Sequence, residues 1–182
     1  MYEDTAQALK NFTTSWCQHW QDTLGHDPLS AELYGIPSPC VIATSGEQVF
    51  WQPQPFQPLA DLTAVARALD IEIQPSVNAF YTTQFAGEMS ARIGDLELQL
   101  SQVWSLDDFS RTQENLIGHL LMKRRLKQTP TLFIATTITD LDVISVCNLT
   151  GEVISEQLGT KERRKLVDSL PDFLSRLQPV IA

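Results

Sequence analysis

The chain has 182 residues and carries 22 acidic against 13 basic side chains, a formal net charge of −9, which argues against nucleic acid as a partner, since such binders are basic overall. That length fits one ordinary domain, taken as 1–182, which can bury enough surface to fold without disulfides. Three dispersed cysteines without a CxxC pair, Cys17, Cys40 and Cys147, argue against a disulfide framework or zinc site and point to a reducing cytosol, while no leader-like segment and no apolar run of about 18 residues is found.

In chain order, Leu9, Phe12, Trp16, Trp20 and Leu24 recur at spacings of three and four, which predicts a helix over 4–24 that stops at Gly25. A short helical turn is expected at 30–35 with Ser30 as its cap. Next come two strands, "PSPCVIAT" and "EQVFWQ", joined as a hairpin at Ser45-Gly46. The prolines of "QPQPFQP" (52–58) confine that stretch to a loop or an edge. A helix over 59–69, an extended piece over 70–75 and a helix or bend ending at Gly87 follow. "EMSARI" and "LELQLSQVW" flank Gly94-Asp95 as strands, the second alternating apolar and polar residues.

Ser105 opens the longest predicted helix, with Asp107 and Asp108 in its first turn and Lys123, Arg124, Arg125 and Lys127 at its end. Both groups complement the helix dipole, which explains the basic knot as an exposed, solvated helix end. "TLFIATT", "LDVISVCN" and "VISEQL" read as strands, and Thr160 is expected to cap a last helix to Gln178 that Pro171 either kinks or restarts. Together these elements predict an α+β fold with a largely antiparallel sheet flanked by helices.

No phosphate-cradle, nucleophile-elbow or metallopeptidase motif occurs. His19, His26 and His119 lack a second histidine at helical spacing, so each reads as structural or exposed, and no catalytic residue, cofactor or metal is expected. Trp16, Trp20, Trp51 and Trp104 read as core. Charge is uneven: residues 1–110 hold 14 acidic and 3 basic side chains, whereas 111–182 hold 8 and 10. Asp70, Glu72, Glu88, Asp95, Glu97, Asp107 and Asp108 fall within 39 positions whose one basic residue is Arg92. A single negative surface made of these carboxylates would suit a cationic partner. The expected partner-binding residues are Asp70, Glu88, Asp95, Asp107 and Asp108, with Glu32 as an outlier.

The stretches "ELYGIPSPC" (32–40), "DIEIQPSVNAFYTTQFAGEM" (70–89), "QENLIGHLLMKRRLK" (113–127) and "ISVCNLTGEV" (144–153) make the chain resemble the Syd family of SecY-interacting proteins. The resemblance implies a SMI1/Knr4-like (SUKH) fold with a concave acidic surface and no enzymatic activity. It also implies a cytoplasmic protein, peripheral on the cytoplasmic side of the inner membrane, that sequesters, proofreads or negatively regulates unassembled SecY. Cytoplasmic loops of membrane proteins are rich in Lys and Arg, so an acidic concavity is complementary to them. The competing expectation is an immunity or inhibitor protein that masks a basic toxin or nuclease. The basic stretches at 123–127 and 161–165 carry a further expectation, contact with anionic lipid headgroups beside SecY.

Overall fold

The computed structural model describes residues 2–139 and 141–181. Helix α1 (Tyr2–Leu24) is the predicted aromatic helix, started two residues earlier; its buried stripe is Leu9, Phe12, Trp16 and Trp20. Gly25, at φ 76°, closes it by donating its N–H to the Gln21 carbonyl at 2.9 Å. The expected cap at Ser30 forms, its hydroxyl accepting from the Leu33 N–H at 3.2 Å, but it opens a turn rather than a helix, and Leu29–Ser30 form a two-residue strand, β1. Pairing of Leu29 and Ser30 with Phe50 and Val49 satisfies the backbone in a way that four isolated helical residues cannot.

The predicted hairpin forms from β2 (Val41–Ser45) and β3 (Gln48–Trp51), with the expected strand start at Pro37 moved to Val41. The proline segment contributes only β4 (Gln54–Pro55), paired with β5 (Gln84–Phe85). Helix α2 is shorter than predicted (Thr63–Leu69), and α3 (Pro75–Thr82) resolves the helix-or-bend alternative as a helix led by proline that stops at Thr82 rather than at the expected Gly87, because Gln84–Phe85 leave it to pair as β5.

β6 (Met89–Ile93) and β7 (Leu96–Leu100) form the expected hairpin, and α4 (Leu106–Arg125) begins at its Ser105 cap, whose hydroxyl accepts from the Asp108 N–H at 3.2 Å. β8 (Thr131–Thr137), β9 (Asp142–Cys147) and β10 (Val153–Gln157) follow as antiparallel neighbours.

The expected Thr160-capped helix is overturned. Residues Arg163–Val167 form an edge strand, β11, paired with β10, and helix α5 (Leu170–Arg176) starts at a new cap, Ser169, with Pro171 in its first turn. The restart at Pro171 is thus the alternative that holds. Sheet pairing overrides helix propensity here, and the cationic side chains of Arg163, Arg164 and Lys165 blunt an exposed edge. A two-residue strand, β12 (Gln178–Pro179), closes the other edge against β6.

The resulting seven-stranded sheet, ordered β11-β10-β9-β8-β7-β6-β12, is antiparallel at every pairing; β1-β3-β2 form a smaller sheet. This is the expected α+β fold. Helices α1, α3 and α5 pack together, while α4 lies against β8 and α2. The four tryptophans join the elements as core: Trp16 stacks on Trp51 at 5.5 Å between ring centroids, and Trp104 meets Trp51 edge-on at 6.0 Å.

Candidate functional site

Glu88 sits where β5 gives way to β6, and its placement depends on the residue before it. A Cβ at Gly87 would lie 2.9 Å from Trp51 Cε2 and 3.0 Å from Leu33 Cδ1. Only glycine lets the chain pass this close to the tryptophan cluster on one side and the Glu32–Leu33 turn on the other. Glu88 keeps its access to solvent although much of its surroundings is protein. That desolvation, then the charges of Glu32 and Asp108, pushes its carboxyl above the ordinary range. Two acidic groups from separate parts of the chain therefore act on a third.

Asp108 has a second attachment. One of its oxygens accepts the Trp104 N–H at 2.8 Å, and the other lies 3.7 Å from Arg111 Nη2. With Ser105 this forms a reciprocal cap on α4, so Asp108 is held in place before any partner arrives. Trp104 ties the opposite wall, donating its indole N–H to the Ile36 carbonyl at 2.9 Å while its own carbonyl accepts from Ser38 Oγ at 2.6 Å.

Beside Asp108 opens a groove of about 720 Å³, walled by Pro37, Pro39, Pro55, Phe85, Leu106 and Asp107. Tyr34, Ile36, Val41 and Ile42, which flank Pro37 and Pro39 in sequence, are exposed. Sequence reasoning did not put the apolar walls of this groove in the site. The signal present was the proline spacing of 52–58, which forbids a central strand and leaves a wall of a groove as an alternative use.

Of the six expected partner-binding residues, Glu32 and Asp108 act on Glu88, and Asp107 lines the neighbouring groove. The other two lie elsewhere. Asp95 occupies the β6–β7 turn, at the far end of a strand from Glu88, about 17 Å away at the rise of an extended chain. Asp70, at φ 54°, is the left-handed residue that ends α2. Arg124 Nη2 donates to the Leu69 carbonyl at 2.7 Å, so Asp70 lies near the last turn of α4 and Asp108 in its first, about 24 Å apart along the axis. The single negative surface expected from the grouping at 70–108 is thus split by the fold.

The basic knot also needs correction. Lys123 is only 4% exposed and pairs with buried Glu156. Arg124 is spent on the end of α2. Lys127, at φ 56°, turns the chain out of α4, with the Gln128 N–H donating to the Lys123 carbonyl at 2.9 Å. Only Lys123 departs from the solvated helix end expected from sequence; Arg124, Arg125 and Lys127 are exposed there, as expected.

Among the described residues there is no group of three or more His, Cys, Asp or Glu side chains suited to a metal, and no helix long and apolar enough to cross a membrane. A family profile described as Syd protein (SUKH-2) matches residues 6–179. Over 181 residues, covering the whole chain, the sequence is 60% identical to Protein Syd of Erwinia tasmaniensis, of which it covers 97%. It is 58% identical to Protein Syd of Salmonella paratyphi B and of Salmonella newport, each covered in full.

Proposed function

The chain belongs to the Syd family, and on that premise we propose that it binds the basic cytosolic loops of the SecY channel subunit through the concavity formed by Glu32, Glu88 and Asp108 and the proline-walled groove beside it. The supporting observation is that Glu88 stands beside the groove with its carboxyl pushed up, first by burial and then by the charges of Glu32 and Asp108. Like charges held together oppose folding, and a Lys or Arg from a partner relieves the repulsion. The groove adds what charge alone does not supply, an apolar wall for side chains flanking that cation. On this reading the protein is not an enzyme. It works from the cytoplasm, peripheral on the cytoplasmic side of the inner membrane, where positive loops of the channel face it, and it sequesters, proofreads or negatively regulates SecY that lacks its partners.

A photo-crosslinking side chain placed at Gln57 or at Leu106, both exposed at the groove, tests the reading in cells. The expected adduct is with SecY from both positions and not from Asp70. Adducts from Asp70 alone, or a soluble protein in place of the channel subunit, overturn it.

A further inference from the structure

The fold brings two basic segments together that lie some 35 positions apart in sequence. Lys127, at the exit of α4, and Lys161 and Arg163, at the start of β11, rim a cleft of about 290 Å³ whose floor is the Lys123–Glu156 pair. All three rim cations are exposed, and none forms an ion pair among the described residues. Glu162 is the one acid on the rim, because Glu156 is buried against Lys123. In a chain of net charge −9, this is a local concentration of positive charge with a defined shape.

The cleft is built rather than incidental. Gln128 accepts from Lys123 Nζ at 3.2 Å and donates to the Thr160 carbonyl at 2.9 Å, tying the exit of α4 to the β10–β11 turn. Thr160 Oγ1 in turn accepts the Glu162 N–H at 3.1 Å. These bonds fix the two backbones that carry the cations. Lys127 is further constrained by its left-handed backbone. Three cations that converge with a single carboxylate, Glu162, on their rim retain an excess of positive charge until an anion arrives, and tetrahedral oxyanions offer enough acceptors for all three.

We propose that this cleft binds a phosphate group, with Lys127, Lys161 and Arg163 as its ligands and the Lys123–Glu156 pair as its rigid floor. It stands apart from the acidic concavity and does not rest on the reading of that site. The phosphate belongs either to a free phosphorylated compound or to an anionic lipid headgroup, and the two sources separate by experiment.

The test uses the full chain and two probes, inorganic pyrophosphate followed by amide NMR at constant ionic strength, and flotation with vesicles of phosphatidylglycerol or of phosphatidylcholine. Saturable shifts are expected at 128–129 and 160–163, and in Lys161→Ala/Arg163→Ala affinity is expected to fall roughly tenfold, as two charge-assisted contacts are removed. Both side chains are exposed, so that variant should fold; Glu88→Gln should bind as the wild type does. Pyrophosphate binding without flotation assigns a free compound, and flotation with the anionic vesicles alone assigns a headgroup. Absence of saturation with both probes, or binding unchanged in Lys161→Ala/Arg163→Ala, overturns the proposal.

Discussion

Lys123 and Glu156 form an ion pair in the interior, 4% and 2% exposed. Glu156 is also held by the Thr131 hydroxyl at 2.7 Å, and the Ser145 hydroxyl stands at the margin of bonding to it. His119 Nε2 reaches Thr131 Oγ1 at 2.8 Å, so helix α4 and strands β8 and β10 share one polar chain of contacts. Removing one partner of such a pair leaves an uncompensated buried charge. Lys123→Met is therefore expected to lose about 3–5 kcal/mol in urea unfolding, and Lys123→Met/Glu156→Leu to recover most of it. Arg125→Glu, at an exposed position near the same helix end, is expected to lose about 0.3–1 kcal/mol. Equal losses for Lys123→Met and Arg125→Glu would contradict the assignment.

The same contacts set a pH dependence. Burial, opposed by Glu156 and reinforced by Lys123, holds the His119 imidazole below its ordinary value. Burial alone would raise Glu156, but the hydrogen bonds of Lys123 and Thr131 and the lysine charge outweigh it and hold the carboxyl low. For both groups the unfolded chain takes up a proton first as pH falls. Stability is full above the unfolded values and declines on acidification, His119 acting from about pH 6.5 downward and Glu156 in the carboxylate range, each by at most about 1.4 kcal/mol per pH unit. Glu88, whose carboxyl is raised, works in the opposite sense. In a Glu88→Gln background, His119→Gln is expected to flatten the decline between pH 6.5 and 5; an unchanged slope there would mean that His119 titrates normally.

Periodicity made most of the fold legible. The stripe of α1, the alternation of β7 and the Ser105 cap are local patterns whose partners are close in sequence. The segment at 160–178 misled because "KERRKL" (161–166) is made of helix formers, and nothing local reveals that β10 offers an open edge to Arg163–Val167. The acidic site was legible in kind and not in extent. Sequence proximity grouped Asp70 and Asp95 with Glu88, whereas α4 and the β6–β7 hairpin separate them in space. Glu32, 56 positions before Glu88, arrives because Gly87 admits Leu33.

That division predicts unequal effects on binding. Glu32→Lys/Glu88→Lys is expected to weaken capture by SecY-enriched vesicles strongly, and more at low salt than at physiological salt, where exposed charges are screened beyond about 8 Å. Asp70→Lys/Asp95→Lys carries the same change in net charge and is expected to leave capture nearly unchanged. Equal weakening by both would mean that net charge, not the concavity, governs association; the comparison needs only vesicle flotation at two salt concentrations.

Asp107 and Asp108 separate in the same way. Asp108 closes the cap on α4 through the Trp104 N–H, so Asp108→Asn is expected to lower stability by roughly 1 kcal/mol. Asp107 lies exposed at the groove, and Asp107→Asn is expected to leave thermal unfolding nearly unchanged while weakening capture. The reverse ranking in thermal unfolding would remove Asp108 from the cap.

Gly87→Ala tests how the core and the site are joined. The added methyl meets Trp51, whose ring is stacked on Trp16 at 5.5 Å and met edge-on by Trp104 at 6.0 Å, so that side cannot yield without disturbing three buried rings. The other side is Leu33, half-buried on a turn, and it is the neighbour that must move. Overpacking of this kind loses about 1–3 kcal/mol. The displacement also carries Glu32 away from Glu88, which relaxes the repulsion that adds to burial in holding the Glu88 carboxyl high. Gly87→Ala is therefore expected to lower the melting temperature, to bring the Glu88 carboxyl back toward its ordinary value by NMR titration, and to weaken vesicle capture at temperatures where the variant is fully folded. A variant that loses stability yet captures SecY and titrates as the wild type does would show that the Trp51 side gave way instead, and that the spacing of Glu32 and Glu88 does not depend on Gly87.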